Sequence, residues 1–282
     1  MESWRLDDRD RRTNLVGQAG QADGLLLSNG KTANGGVGAS MKRQTLSLLA
    51  FLAIATGPVG AVKAQQTAEL LNNALRSREN GDFVSAERDF EQAVRIDPEN
   101  ASLWNYLCST RILASKYKTA VDACDQALKL STKYVFALGN RADAWTYLGE
   151  YDKAMIDINR ALALNPSYLF GYQLRGWLNI YKQDGDMVQS SKDFQQVLRM
   201  SPDSSTAMTG LGIVQMDLKD AFGAIRWFDK AIAISPKYAY AYRSRGIARE
   251  MMGDMTGACK DWRQAKSYGN EQVVSWIEKQ CR

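Results

Sequence analysis

Three arginine and aspartate pairs and four cysteines are the residues of this chain whose types and spacing could do chemistry: Arg141 with Asp157, Arg175 with Asp193, Arg245 with Asp261, and Cys108, Cys124, Cys259 and Cys281. Carboxylates can run glycosidase-type acid and base chemistry without histidine. An arginine beside a carboxylate favours its ionised form, which is the wrong direction for a general acid. The chain contains no histidine. That removes Ser/His/Asp and Cys/His nucleophiles, histidine ligands to zinc or copper, and a proximal haem histidine. The cysteines lack the close C-x-x-C spacing of a metal site. The expectation is a chain without catalytic residues, metal or cofactor.

Composition narrows the class further. Of 282 residues, 45% are hydrophobic and 24% charged, an ordinary globular balance that argues against wholesale disorder or a polytopic membrane protein. The formal charge of +5 falls to +2 once the first 64 residues, with 8 Lys/Arg and 5 Asp/Glu, are set aside. So weak a balance gives no electrostatic footprint for nucleic acid.

The N-terminal part reads as a processing signal. Lys42-Arg43 precede an apolar run from Leu46 to Thr56, followed by Gly57-Pro58 and the small-x-small ending Val62-Lys63-Ala64. That order is the order of a secretory signal peptide cleaved after Ala64; a short retained anchor is the alternative. Eleven such residues are too few to span a bilayer, where about 20 are needed, so no membrane span is expected in the mature chain. Met41 is the expected start, with residues 1–40 a leader or a disordered tail, 41–64 the signal peptide and 65–282 the folded region.

From Thr67 the sequence repeats at an interval close to 34 residues, the period of helix-turn-helix solenoids. Small residues recur at Ala74, Cys108, Ala142, Gly176, Gly212 and Gly246, and again at Ala86, Ala120, Ala154, Ser190, Ala224 and Ala258. Bulk recurs at Phe90, Cys124, Ile158, Phe194, Phe228 and Trp262, and a further column reads Ala93, Ala127, Ala161, Val197, Ala231, Ala265. Pro98, Pro166, Pro202 and Pro236 close repeats, because proline ends a helix. The expected repeats are about 67–100, 101–134, 135–168, 169–204, 205–238 and 239–272, with two extra residues between Gly176 and Gly185. A capping helix over 272–280 would cover the exposed end of the stack, as a solenoid requires.

These columns, with segments such as Tyr147-Leu148-Gly149-Glu150-Tyr151-Asp152-Lys153-Ala154 and Ala161-Leu162-Ala163-Leu164-Asn165-Pro166, resemble the tetratricopeptide repeat family over residues 67 to 282. The stretch Gly257-Ala258-Cys259-Lys260-Asp261-Trp262, with Gly269-Asn270 and Cys281, resembles the ending of exported bacterial members. The resemblance implies an all-α, right-handed superhelical solenoid of antiparallel helix pairs that binds proteins or peptides in a concave groove and does no catalysis. A subgroup grips a C-terminal carboxylate with lysines, asparagines and an arginine. Those lysines are missing here, and Asn105 and Arg243 alone do not rebuild the grip.

Four cysteines allow three pairings. Repeat geometry puts Cys108 and Cys124 on facing sides of one helix pair, and Cys259 and Cys281 on the last repeat and its cap, so those two disulfides are expected; buried free thiols are the alternative. Where a repeat has arginine at its seventh position (Arg141, Arg175, Arg245) its twenty-third is aspartate (Asp157, Asp193, Asp261), whereas Leu107 and Leu211 go with Ala123 and Trp227. An intra-repeat structural salt bridge accounts for the correlation.

Groove-facing positions fall at Asn105, Phe136, Asp143 and Tyr147, and at Phe170, Gln173, Trp177, Tyr181, Tyr240 and Arg243. Aromatic, mostly uncharged clefts suit a peptide, although single aromatics can equally pack between helices. The function expected is a non-enzymatic protein interaction scaffold or assembly factor, exported to a bacterial periplasm or equivalent lumen. A module for a cell-wall glycan or small ligand is the other class, since rings also stack on sugar faces. Oligomeric state is left open.

Overall fold

A computed structural model describes the backbone of residues 41–281 and the side chains of residues 60–281. The proposed leader, residues 1–40, and most side chains of the proposed signal peptide lie outside the described residues. Among the described residues the chain is all-α, a helical repeat fold with no strand. Its helices are α1 (Met41–Glu79), α2 (Phe83–Ile96), α3 (Ala101–Leu113), α4 (Tyr117–Leu130), α5 (Val135–Tyr147), α6 (Tyr151–Leu164), α7 (Leu169–Tyr181), α8 (Met187–Met200), α9 (Ser205–Asp217), α10 (Ala221–Ile234), α11 (Ala239–Met251), α12 (Met255–Ser267) and α13 (Val274–Gln280). The chain divides into two compact units, one ending at Asn165 and one beginning at Pro166.

In the N-terminal unit, each helix from α1 to α5 packs on the one after it, and α3 also touches α5 directly. First helices of the pairs thus form one layer and second helices another. The C-terminal unit repeats the arrangement over α7 to α12, with α9 touching both α7 and α11. Helix starts are set locally. Asp82, Asn100, Asp186, Ser204, Asp220 and Asp254 each accept a hydrogen bond from a backbone N–H of the first turn, which satisfies a donor that the helix itself leaves open.

The repeat columns are the core. Ala86, Ala120, Ala154, Ser190, Ala224 and Ala258 are fully buried, as are Phe90, Cys124, Ile158, Phe194, Phe228 and Trp262. Small residues let the helices approach until large neighbours fill the space. A Cβ placed on Gly210 of α9 would run into the Phe194 ring of α8. Ser190, the polar exception, donates to the Gly176 carbonyl at 2.9 Å.

The two extra residues fall in the turn between α7 and α8, one of the expected places. There the Gly185 N–H bonds the Lys182 carbonyl, and a Cβ at Gly185 would meet the Asn179 carbonyl oxygen. The capping segment differs slightly from expectation. Glu271–Val273 is a 3-10 turn, and α-helix begins only at Val274, because fully buried Val273 anchors the turn in the core with Trp262 and Ala265. Trp276, Ile277 and Cys281 pack against that cluster from outside.

Both expected disulfides are present: Cys108 with Cys124 joins α3 to α4, and Cys259 with Cys281 joins α12 to the residue after α13. No described helix is long and apolar enough to cross a membrane.

Candidate binding site

The arginine and aspartate pairs are built as the repeat comparison predicts. Arg141 donates from Nε and Nη2 to both carboxylate oxygens of Asp157, at 2.7 and 2.6 Å. Arg175 holds Asp193 at 2.8 and 2.7 Å, and Arg245 holds Asp261 at 2.9 and 2.6 Å. The fork geometry of arginine makes each pair bidentate. Both oxygens of each aspartate are therefore committed to a cation, an arrangement suited to fixing helix against helix.

A second layer of partners escaped the sequence reading. Arg141 also donates to Asp125 of α4, and Arg245 to Asp229 of α10, each at 2.6 Å. Each arginine thus ties its own helix pair to the preceding pair. Hydrogen bonding to Asp157, partly opposed by burial, raises the Arg141 pKa further above its ordinary value. At Arg245 burial pulls downward and is outweighed by the bonds to Asp261 and Asp229. Both stay cationic at any physiological pH.

Where the seventh position is Leu107, a different network does the work. Glu87 on α2 receives Arg111 Nε at 3.0 Å and Lys116 Nζ at 2.6 Å, while Arg111 Nη2 reaches Glu91 at 2.8 Å. Burial pushes the Glu87 carboxyl up, but the bonds from Lys116 and Arg111 outweigh it and leave the pKa below its ordinary value. No internal correlation marks these residues, because the arrangement occurs once among the described residues.

The ten groove-facing positions separate into sealed and accessible sets. In the N-terminal unit Asn105 is buried and accepts from Asn140 Nδ2 at 2.9 Å. Tyr147 is buried too, stacked at 4.4 Å between ring centroids on Tyr117 from the start of α4. Phe136 remains 45% exposed, and Asp143 is half-buried two turns along the same helix. Both lie on one face of α5, since residues seven apart are in register.

In the C-terminal unit Gln173, Trp177, Tyr181, Tyr240 and Arg243 are buried, and Phe170 is half-buried. Trp177 packs on Tyr181, Phe194 and Tyr240, with centroids 5.8, 5.3 and 5.8 Å away. The Arg243 guanidinium lies over the rings of Tyr240 and Trp276, at 5.7 and 5.0 Å, an attractive arrangement for a cation on a π face. These side chains pack between helices, leaving Phe136, Asp143 and Phe170 as the accessible members of the set.

A recurring aromatic dyad accompanies two of those three. Tyr134 meets Phe136 edge-on at 6.2 Å, Tyr168 meets Phe170 at 6.0 Å, and Tyr238 meets Tyr240 at 6.2 Å. The tyrosine occupies the position before the helix, where Asn100 and Ser204 cap other helices through their side chains. The spacing Tyr-x-Phe or Tyr-x-Tyr was readable in the sequence, and only its second member was picked out.

Profiles described as tetratricopeptide repeat match residues 71–135, 135–168 and 180–239, together more than half of the chain. The chain belongs to the tetratricopeptide repeat family. Among curated proteins it is similar to the BBSome complex member BBS4 of Bos taurus, 24% identical over 181 residues covering 64% of this chain and 34% of the relative. It spans about a third of the length of the curated relatives it matches. Among solved structures, a tetratricopeptide repeat protein from Parabacteroides merdae aligns at 26% identity and TM-score 0.57, covering 76% of this chain and 98% of that one. PilW, a type IV pilus biogenesis factor, aligns at 16% identity and TM-score 0.65, covering 75% and 98%.

Proposed function

We propose that this chain is a non-enzymatic protein interaction scaffold or assembly factor of the cell envelope, exported with cleavage after Ala64, that takes a protein or peptide partner along the first helices of its repeats. The observation that carries the reading is that Phe136 stays accessible on the face of α5 that also carries half-buried Asp143 two turns along, where the other inner positions of this unit, Asn105 and Tyr147, are buried. Aromatic side chains, phenylalanine among them, are enriched where protein surfaces meet. Rigidity works in the same direction. The surface is held by the disulfide between α3 and α4 and by the Arg141 network, so little conformational entropy remains to be lost on binding.

Membership of a complex, as in the BBSome relative, and a part in biogenesis, as in PilW, fit such a scaffold. Export is supported by the signal-like order of residues 41–64 and by two disulfides, which persist in oxidising compartments. The test is titration of the purified chain with peptides from envelope proteins and with soluble cell-wall glycan fragments. A peptide should bind and lose about tenfold or more in affinity with Phe136→Ala. Binding of glycan alone, or of peptides with no response to Phe136→Ala, would replace the reading.

A further inference from the structure

First helices turn into second helices along one edge of each stack, and in the C-terminal unit that edge is apolar. Val188 and Phe222 are the second residues of α8 and α10, Leu218 follows α9, Met251 ends α11 and Met252 follows it. Val188, Leu218 and Phe222 are each 64% exposed, and Met252 55%. In the N-terminal unit the equivalents of Phe222 are Val84, itself 76% exposed, and polar Lys118 and Asp152, and those of Leu218 include small Ala114 and half-buried Leu148, so exposed apolar residues there are isolated and do not follow one another from turn to turn. Single exposed apolar residues are ordinary, but a row of them marks an interaction surface. Neighbouring helices lie about 8–10 Å apart, so the row runs on the order of 20 Å across three turns.

The turn at its centre holds a conformation that its side chain disfavours. Lys219 has φ +65° and Ser115, its counterpart in the N-terminal unit, φ +59°, where the corresponding residues of other turns include Gly81, Gly149 and Gly253. A side chain with a Cβ is disfavoured in this region. The chain accepts this cost in the turn that presents Leu218 and Phe222.

Charge selects the occupant. The three turns and the residues beside them carry Asp184, Asp186, Asp217, Asp220, Glu250 and Asp254 against Lys182, Lys219 and Arg249. Lys182 is paired with Asp184, and Arg249 with Asp254 and Asp261. Arg226, the next exposed base on α10, lies a full turn beyond Phe222. The turn side of the row is therefore acidic. An anionic lipid surface is repelled there, and a second copy of this chain would set acid against acid.

We infer that this edge docks a segment of a partner protein whose apolar side chains sit on Leu218, Phe222 and Met252 and whose lysines or arginines face the turns. It is a surface separate from the first-helix face that carries Phe136. The probe is a fluorescent helical peptide of leucine and lysine, with its leucine and glutamate counterpart, titrated by anisotropy against the full, disulfide-bonded chain. The lysine peptide should bind, weaken with salt, and lose about tenfold or more in affinity with the double variant Leu218→Ser and Phe222→Ser. Val84→Ser, at an exposed turn position of the N-terminal unit, should leave it unchanged. Should the double variant not fold, the charge variant Asp184→Lys with Asp217→Lys is expected to weaken the lysine peptide and admit the glutamate one. Equal binding of both peptides, indifference to these variants, sedimentation with phosphatidylglycerol vesicles, or a wild-type dimer that the variants abolish would each overturn the assignment.

Discussion

Asp157 and Asp125 bind the same arginine from opposite sides, yet they should behave differently when removed. The Asp157 side chain is 6% exposed and that of Asp125 is 50%. Asp157→Ala removes the bidentate, buried partner and leaves the guanidinium only exposed Asp125, and is expected to cost about 2 kcal/mol in urea denaturation, whereas Asp125→Ala should cost less than about 1 kcal/mol. A cycle on Arg141 and Asp157 should show coupling; its absence would reduce the pair to a surface contact. Glu87 makes a pH prediction. Its folded-state pKa lies below the ordinary value, so its stabilisation is complete above that value and is lost as pH falls through the lower, folded-state one. Between about pH 5 and about pH 3 the wild-type chain should lose more stability than Glu87→Gln, measured by denaturation at each pH. The pair with Asp157 was legible because repeats of one chain can be compared with one another. Asp125 was not, because it belongs to the preceding helix pair and its contact is set by how the pairs stack.

At the scale of elements, the capping segment is where covalent and apolar links coincide. The bridge from Cys259 to Cys281 closes 22 positions of sequence, and the chain-entropy relation values such a loop at about 3 kcal/mol. Cys281→Ser should therefore lower the melting temperature and free α13, wetting the Trp262 and Trp276 pair, whose rings lie 5.4 Å apart. A red shift of tryptophan emission under native conditions would report it. Gly210→Ala tests the packing of α8 on α9. Its added methyl meets the Phe194 ring, and overpacking of this kind costs about 1–3 kcal/mol. Helices, their order and the buried columns were legible because a small residue, a large residue and a turn signal recur at fixed intervals. Exposure was less so. The register puts Trp177, Tyr181 and Tyr240 at inner positions, but whether an inner position is open depends on how far neighbouring side chains reach. Phe194 and Tyr240 both reach Trp177.

For the whole molecule, the repeat period carried the fold class and the family, while the partner is written in no local motif. What a repeat surface binds depends on which few side chains its packing leaves accessible, and that is a property of three dimensions. Export makes a prediction of its own. The protein from its native host should have an intact mass beginning at Gln65, and its cysteines should take up alkylating reagent only after reduction. A mass retaining residues 41–64 with four reactive thiols would contradict it. The claim that matters most is that a protein partner lies along the first helices. It is tested most directly by a photo-crosslinking amino acid placed at Phe136, with the same residue at exposed Ile156 on the second helix of that pair as the control. In cells, a discrete protein adduct should form from position 136 and not from position 156. Adducts of equal yield from both positions, or none from 136, would contradict the account.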